Sequence, residues 1–194
     1  MTDPQLARWF TSGALLTARP TSGTSGRCLV VEDADEHATG RVLDLTGGRV
    51  GPVLPFAVGL GSLLSPDGAW VVDLDDDGGS EVGGLVARRT DGTEVRRLTD
   101  RLPFVLRGFE FAADGAAVLA TIVDEEGHHL VLVPMDAPAA VSVLLSSPEE
   151  AWFGHLSADG AHACADRCPN QASSGELSRT EAAAGSSIGT STRW

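Results

Sequence analysis

Short apolar stretches alternate with polar, glycine-bearing breaks along most of the chain, and the breaks are not random. Ser65-Pro-Asp-Gly68 leads into the strand-like Ala69-Trp-Val-Val-Asp-Leu-Asp75, and Ala112-Ala-Asp-Gly115 leads into Ala116-Ala-Val-Leu-Ala-Thr-Ile-Val123. The word returns as Ser157-Ala-Asp-Gly160, and a degenerate copy, Thr24-Ser-Gly26, precedes Arg27-Cys-Leu-Val-Val-Glu32. Successive terminal glycines are 42, 47 and 45 residues apart. Pro presets φ for a turn, Asp bonds the backbone that follows it, and Gly supplies a positive φ, so each copy predicts a hairpin between two strands. Ahead of the copies stand Val58 to Leu64, Phe104 to Phe111 and Ala151 to Leu156. Within the second of these Phe109 and Phe111 share a face, as a period of two requires.

The units continue in parallel beyond the second strand. Polar loops at 76–80 and 124–127 lead to third strands near Val82 to Arg89 and His128 to Val133. A further turn, Thr90-Asp-Gly-Thr93 or Met135-Asp-Ala-Pro138, leads to a fourth strand, Glu94 to Thr99 or Val141 to Leu145. Four short antiparallel strands in a unit of about 45 residues is the pattern of a propeller blade. A β-sandwich also uses short strands, but it has no need of one turn word at a fixed long period. The expected fold is all-β: an incomplete β-propeller of about three four-stranded antiparallel blades over 24–164. Residues 1–23 form a lead-in with room for a first strand, and 165–194 are expected to be a disordered tail.

The run Ser65-Pro-Asp-Gly-Ala-Trp-Val-Val, the acidic stretch Asp73 to Glu81, Leu85, the Asp91-Gly92 turn and Arg97-Leu-Thr99 together resemble the propeller repeat of prolyl-oligopeptidase-like serine peptidases. TolB-like propellers share much of it, and the Asp-rich, Gly-x-Glu character of 73–81 favours the peptidase group. That resemblance implies a propeller that caps an α/β-hydrolase domain and filters what reaches its Ser, Asp, His triad. A hydrolase domain needs on the order of 200 further residues. The chain is therefore expected not to be an enzyme by itself, with catalytic, cofactor and metal residues all none. An independent TolB-like or WD-type propeller that presents loops to a protein partner is the alternative. A third possibility is a subunit whose hydrolase half is encoded separately. Some members of the peptidase family hold a substrate's amino terminus with propeller carboxylates, which makes Glu149 and Glu150 the substrate-contact candidates.

The pattern stops after Gly160. A Val- or Leu-rich second strand is due there, yet the text is Ala161-His-Ala-Cys-Ala-Asp-Arg-Cys-Pro-Asn170. Over 165–194 the branched and large aliphatic side chains are Leu177 and Ile188. A reading-frame change or truncation inside a fourth blade is the favoured explanation over an evolved linker; translating the other frames past codon 165 tests it. Gly185-Ser-Ser-Ile-Gly189 spells a nucleophile elbow around Ser187, but no strand precedes it and five residues follow it, where acid and His partners belong.

Charge changes the picture mainly by exclusion. The net charge is −13 and all 14 basic residues are Arg. The densest basic group, Arg88, Arg89, Arg96 and Arg97, has Asp91 and Glu94 among it, so neither nucleic acid nor an anionic membrane is an expected partner. An acidic N-terminus without an apolar export core, and three cysteines, Cys28, Cys164 and Cys168, point to the cytoplasm. Asp73-x-Asp-x-Asp77-Gly78 reproduces half a calcium loop, but the twelfth position is Gly84, and a solvated hairpin loop is preferred. His162, Cys164 and Cys168 lack a matching second half for zinc. His128 and His129 open a strand with one of them facing solvent, and Trp70 and Trp152 are read as packing between blades. Three blades and a fragment leave open strand edges, which a hydrolase domain, another protein or a second copy could cover.

Overall fold

The structure is a computed structural model in which residues 14–21, 26–34, 37–76, 80–99, 104–137 and 140–167 are described. It is all-β among those residues, with fourteen antiparallel strands and no helix longer than an isolated turn. They divide into two compact units. The first comprises Met1–Asp73 with Arg88–Val95, the second Leu74–Ala87 with Arg96–Trp194.

The first unit holds a four-stranded sheet in chain order, β1 (Ala14–Pro20), β2 (Arg27–Ala34), β3 (His37–Asp44) and β4 (Arg49–Val53). β2 and β3 pair without interruption from Arg27↔Asp44 to Ala34↔His37. The turn out of β3 is fixed by Asp44, whose Oδ1 accepts from the Thr46 N–H (2.9 Å), the Thr46 hydroxyl (2.9 Å) and the Gly47 N–H (3.1 Å). Next comes β5 (Leu63–Leu64), paired with the start of β6 (Trp70–Asp76) through Leu63↔Val72 and Leu64↔Val71. The core between these pieces is Leu29, Val31, Leu54, Val58, Leu64 and Val71, with Ala38, Val42 and Phe56 against it. Leu29 and Val31 share one face of β2 by the period of two, and that face is the buried one.

The second unit is built on the meander β9 (Phe104–Phe111), β10 (Ala117–Asp124), β11 (Gly127–Pro134) and β12 (Ser142–Ser147), each paired with the next. β10 lies at its centre and is buried on both faces from Val118 to Ile122, which is why it reads as a continuous apolar run. Opposite Thr121 and Ile122 the register shifts past Arg107, a bulge on β9. β7 (Val82–Arg89) reaches β9 through Val82↔Val105 and Gly83↔Phe104, and pairs along its later half with β8 (Val95–Arg97). A two-stranded sheet, β13 (Ala151–Leu156) with β14 (Ala163–Arg167), packs by β13 against β9 and β10.

Among the described residues the strands thus lie in a four-stranded sheet, β1–β4, an eight-stranded sheet, β5–β12, and the pair β13–β14; within the eight-stranded sheet the four-strand order of a blade occurs twice, as β5–β8 and β9–β12, joined by the β7–β9 pairing. Residues 14–20, in the lead-in that left room for a first strand, are a strand that completes the first sheet. One element differs from expectation. After Gly160 a second strand does form, over Ala163–Arg167, although it holds no Val, Leu or Ile. Its partner is supplied by the hairpin turn before it, which brings Leu156↔Ala163, His155↔Cys164 and Gly154↔Ala165 into register. The tail beyond 167, with Ser187 and Cys168, lies outside the described residues.

Candidate functional site

The repeat word builds the same backbone turn at its copies in 65–68, 112–115 and 157–160; Thr24 and Ser25 of the degenerate copy lie outside the described residues. At Ser65-Pro66-Asp67-Gly68 the Ser65 N–H donates to Trp70 O (2.8 Å) and the Gly68 N–H to Ser65 O (2.8 Å). The Ser65 hydroxyl donates to Asp67 Oδ1 (2.5 Å) and accepts from the Trp70 N–H (2.9 Å), while Asp67 also takes the Ala69 N–H (3.0 Å). At 157–160 the bonds repeat: Ser157 N–H to His162 O, Gly160 N–H to Ser157 O, and the Ser157 hydroxyl to Asp159 Oδ1 (2.6 Å). At 112–115 Ala112 replaces the serine, and only the backbone pair and the Asp114 to Ala116 N–H bond (2.9 Å) remain. Gly68, Gly115 and Gly160 carry φ of 72°, 74° and 68°, which a side chain disfavours. These turn residues close hairpins between β5 and β6, β9 and β10, and β13 and β14.

The turn carboxylates are also acidified. Burial raises the Asp67 carboxyl, but the Ser65 hydroxyl, the Ala69 N–H and the charge of Arg27 outweigh it and leave it below its usual range. Asp159 is lowered by the Ser157 hydroxyl and the Ala161 N–H, Asp91 by the Thr93 hydroxyl and N–H, and Asp44 by the Gly47 N–H and the Thr46 hydroxyl. A carboxylate lowered by folding takes up protons more readily when unfolded, so its contribution is present above the ordinary range near pH 4 and is lost on further acidification. We expect the melting temperature to fall progressively below about pH 4, and less steeply in Asp67→Asn than in the parent; parallel pH curves would remove these carboxylates from the account.

Other candidates from the sequence lie at separate places in the described residues. Glu149 and Glu150 are exposed in the connection between β12 and β13, where the Glu149 N–H donates to the Ser147 hydroxyl (3.1 Å). Asp73 accepts from the Gly59 N–H (3.1 Å) and the Ser62 hydroxyl (2.5 Å), and Asp75 pairs with Arg97 (3.4 Å); Asp77 lies outside the described residues. His162 and Cys164 are exposed, and Cys28 is buried on β2, where burial pushes its thiol up. Trp70 stacks with Arg89 of the following strand (5.4 Å), and Trp152 with Arg107 of β9 (4.7 Å).

One constellation was not singled out by the sequence. β10 ends at Asp124 and β11 begins at Gly127, so Glu125 and Glu126 alone form the hairpin loop, closed by Asp124↔Gly127. The Glu126 N–H donates to Asp124 Oδ1 (2.8 Å). His129 lies two residues into β11, opposite Ile122 on one side and Ser146 of β12 on the other. On a pleated sheet that register puts Asp124, His129 and Ser146 on one face. Their side chains meet there: His129 Nε2 lies 3.0 Å from Asp124 Oδ1 and Nδ1 lies 2.8 Å from Ser146 Oγ. His129 and Asp124 side chains are 5% and 8% exposed, so the expectation of one solvent-facing histidine falls on His128, which is only partly buried. Both ring nitrogens of a buried imidazole must be satisfied, and this arrangement satisfies them while tying three strands together. Among the described residues, Asp124, Glu126 and His129 form a group whose ligand-capable atoms all lie within 4.8 Å of one another. The order Ser, His, Asp has the connectivity of an acyl-transfer relay, but the carboxylates beside it oppose the negative charge such a reaction must develop.

A second cluster holds β13 in place. Glu110 of β9 accepts the Leu156 N–H with one carboxylate oxygen, and its other oxygen lies 3.4 Å from His155 Nδ1. The His128 ring accepts the Ala151 N–H (3.3 Å). Removing a charged acceptor from a half-buried donor costs about 1 to 2 kcal/mol. Glu110→Ala is expected to destabilise by that amount and to raise hydrogen exchange selectively in 151–167; uniform exchange would show that the carboxylate holds nothing.

No family model matches the sequence, and no curated protein matches it. Solved structures do. TolB from Acinetobacter baumannii superposes with a TM-score of 0.61 at 17% identity, over 82% of this chain and 39% of that one. Oligogalacturonate lyase from Vibrio parahaemolyticus gives 0.63 at 11% identity, over 84% and 49%. Tricorn protease gives 0.56 at 9% identity, over 77% and 15%. These likenesses establish a β-propeller fold with TolB-like and protease-propeller neighbours. The chain spans less than half the length of each of these three.

Proposed function

We propose that this chain is the non-catalytic propeller portion of a larger assembly, and that it gates access to a separate α/β-hydrolase domain in the manner of prolyl-oligopeptidase-like peptidases. The observation that carries the proposal is the Asp-Gly hairpin repeated at 67–68, 114–115 and 159–160 between antiparallel strands, together with a propeller neighbour in tricorn protease. In such an assembly the propeller contributes sieving rather than chemistry: its strands form a rigid wall, and its loops decide what passes. The same fold likeness to TolB favours a second reading, an independent propeller that binds a protein partner through its loops.

The two are separated by one experiment. The purified chain is assayed on aminoacyl and peptidyl chromogenic substrates alone, and again after co-expression with any hydrolase reading frame that lies beside its gene. Gating predicts no turnover alone, and a peptidase in the complex that excludes large folded substrates. Turnover by the isolated chain overturns the proposal. Stable capture of one non-enzymatic partner, with no hydrolase in the complex, replaces it with the TolB-like reading.

A further inference from the structure

We propose that Asp124, Glu126 and His129 form a binding site for one first-row divalent cation of the Mn2+ or Zn2+ type, at the β10–β11 hairpin. Three observations carry it. The donors are one imidazole nitrogen and two carboxylate oxygens, mutually within 4.8 Å. Two donors each about 2.1 Å from one cation are about 3.0 Å apart at the right angles of an octahedral Mn2+ site and about 3.4 Å apart at a tetrahedral Zn2+ site. Asp124 Oδ1 and His129 Nε2 stand at 3.0 Å, so a cation can take the place of the shared proton with little movement of either side chain. Glu126, at the exposed hairpin tip, supplies the third donor, within 4.8 Å of the other two.

The second observation lies outside the three donors. Ser146, on a different strand, holds Nδ1 at 2.8 Å and thereby aims Nε2 at the carboxylates. A hydrogen-bonded partner on the far nitrogen is what orients a ligating histidine. The third is electrostatic. Asp124 is almost wholly buried, Glu126 comes within 4.8 Å of the same point, and Glu125 adjoins both in a chain of net charge −13. Converging carboxylates at a low-dielectric position are relieved by a positive charge. The mixed nitrogen and oxygen set selects against Ca2+ and Mg2+, which prefer oxygen alone, and the absence of sulfur from the set suits Mn2+ or Zn2+ better than thiophilic ions.

The test uses the full chain stripped with chelator. Mn2+ binding is followed by loss of its free-ion electron paramagnetic resonance signal, and Co2+ is added separately as an absorption probe. One saturable Mn2+ per chain is expected, with an increase in melting temperature as metal is added. Glu126→Gln changes an exposed side chain and leaves the fold intact, so its expected loss of about tenfold or more in affinity reads the site directly. Ser146→Ala removes only the orienting bond and is expected to weaken binding about tenfold. No saturable binding, or equal binding by the parent and Glu126→Gln, overturns the proposal. So does a Co2+ spectrum with a thiolate charge-transfer band, which would put the metal on cysteine instead.

Discussion

Gly83→Ala is expected to destabilise the protein by about 3 kcal/mol or more, the upper end of the range for forcing atoms into a packed interior. A β-carbon at Gly83 would overlap the carbonyl oxygen of Asp75 and stand 2.7 Å from its carbonyl carbon and 2.9 Å from Asp76 Cα. All three are backbone atoms, so no side chain can swing aside. On its other flank Gly83 is paired with Phe104 of β9, so β7 cannot retreat without giving up that pairing. The backbone must spread the neighbouring strands or bend one of them. Urea unfolding monitored by circular dichroism measures the cost, and a change below about 1 kcal/mol would mean that the strands separate easily.

Truncation of Leu119 should cost a similar amount for the opposite reason. Leu119 is completely buried at the centre of β10, paired with Glu110 of β9 and Leu132 of β11. Its side chain also lies where β13 comes closest: a β-carbon on Gly154 would fall 2.9 Å from Leu119 Cδ2 and closer still to Leu130 Cδ1. Leu119→Ala therefore empties volume between two layers that cannot both collapse into it, at about 3 kcal/mol. Leu144→Ala, on the exposed side of β12, is the matched control and should stay within about 0.5 kcal/mol. Equal effects from the two would mean that β13 does not pack on β10 as described.

The hairpins were legible because their chemistry is local. A positive φ demands glycine, and each turn Asp accepts the N–H two residues on, at the approach to the returning strand, so Asp67-Gly68, Asp114-Gly115 and Asp159-Gly160 announce themselves within four residues. β14 was not legible. Ala163-Cys-Ala-Asp-Arg167 has neither β-branched residues nor a long apolar run, and it is a strand because a competent turn returns it along β13. β1 was legible only as room for a strand within 1–23, without bounds: Ala14–Pro20 is exposed along nearly its whole length, so burial never wrote an alternating pattern into it.

The cluster around His129 was missed because its members look innocuous separately. Asp124 to Gly127 reads as a polar loop and His129 as one of two histidines opening a strand. The available signal was the spacing. In a two-residue hairpin, residues five apart across the loop fall on one face, which brings Asp124 to His129. Ser146 could not have been found this way, since it arrives from a strand 17 residues later.

The Ser157 turn forms with the same bonds as the Ser65 turn, although the strand that follows it is far poorer. Closure of each hairpin is thus decided within a handful of residues, whereas docking of β13 depends on Gly154, Leu119 and Glu110, drawn from distant stretches of the chain. Hairpins close in microseconds, and contacts between segments remote in sequence come later. The order of events follows from that separation: substitutions at the turn glycines should slow folding, and substitutions at the β13 contacts should chiefly hasten unfolding.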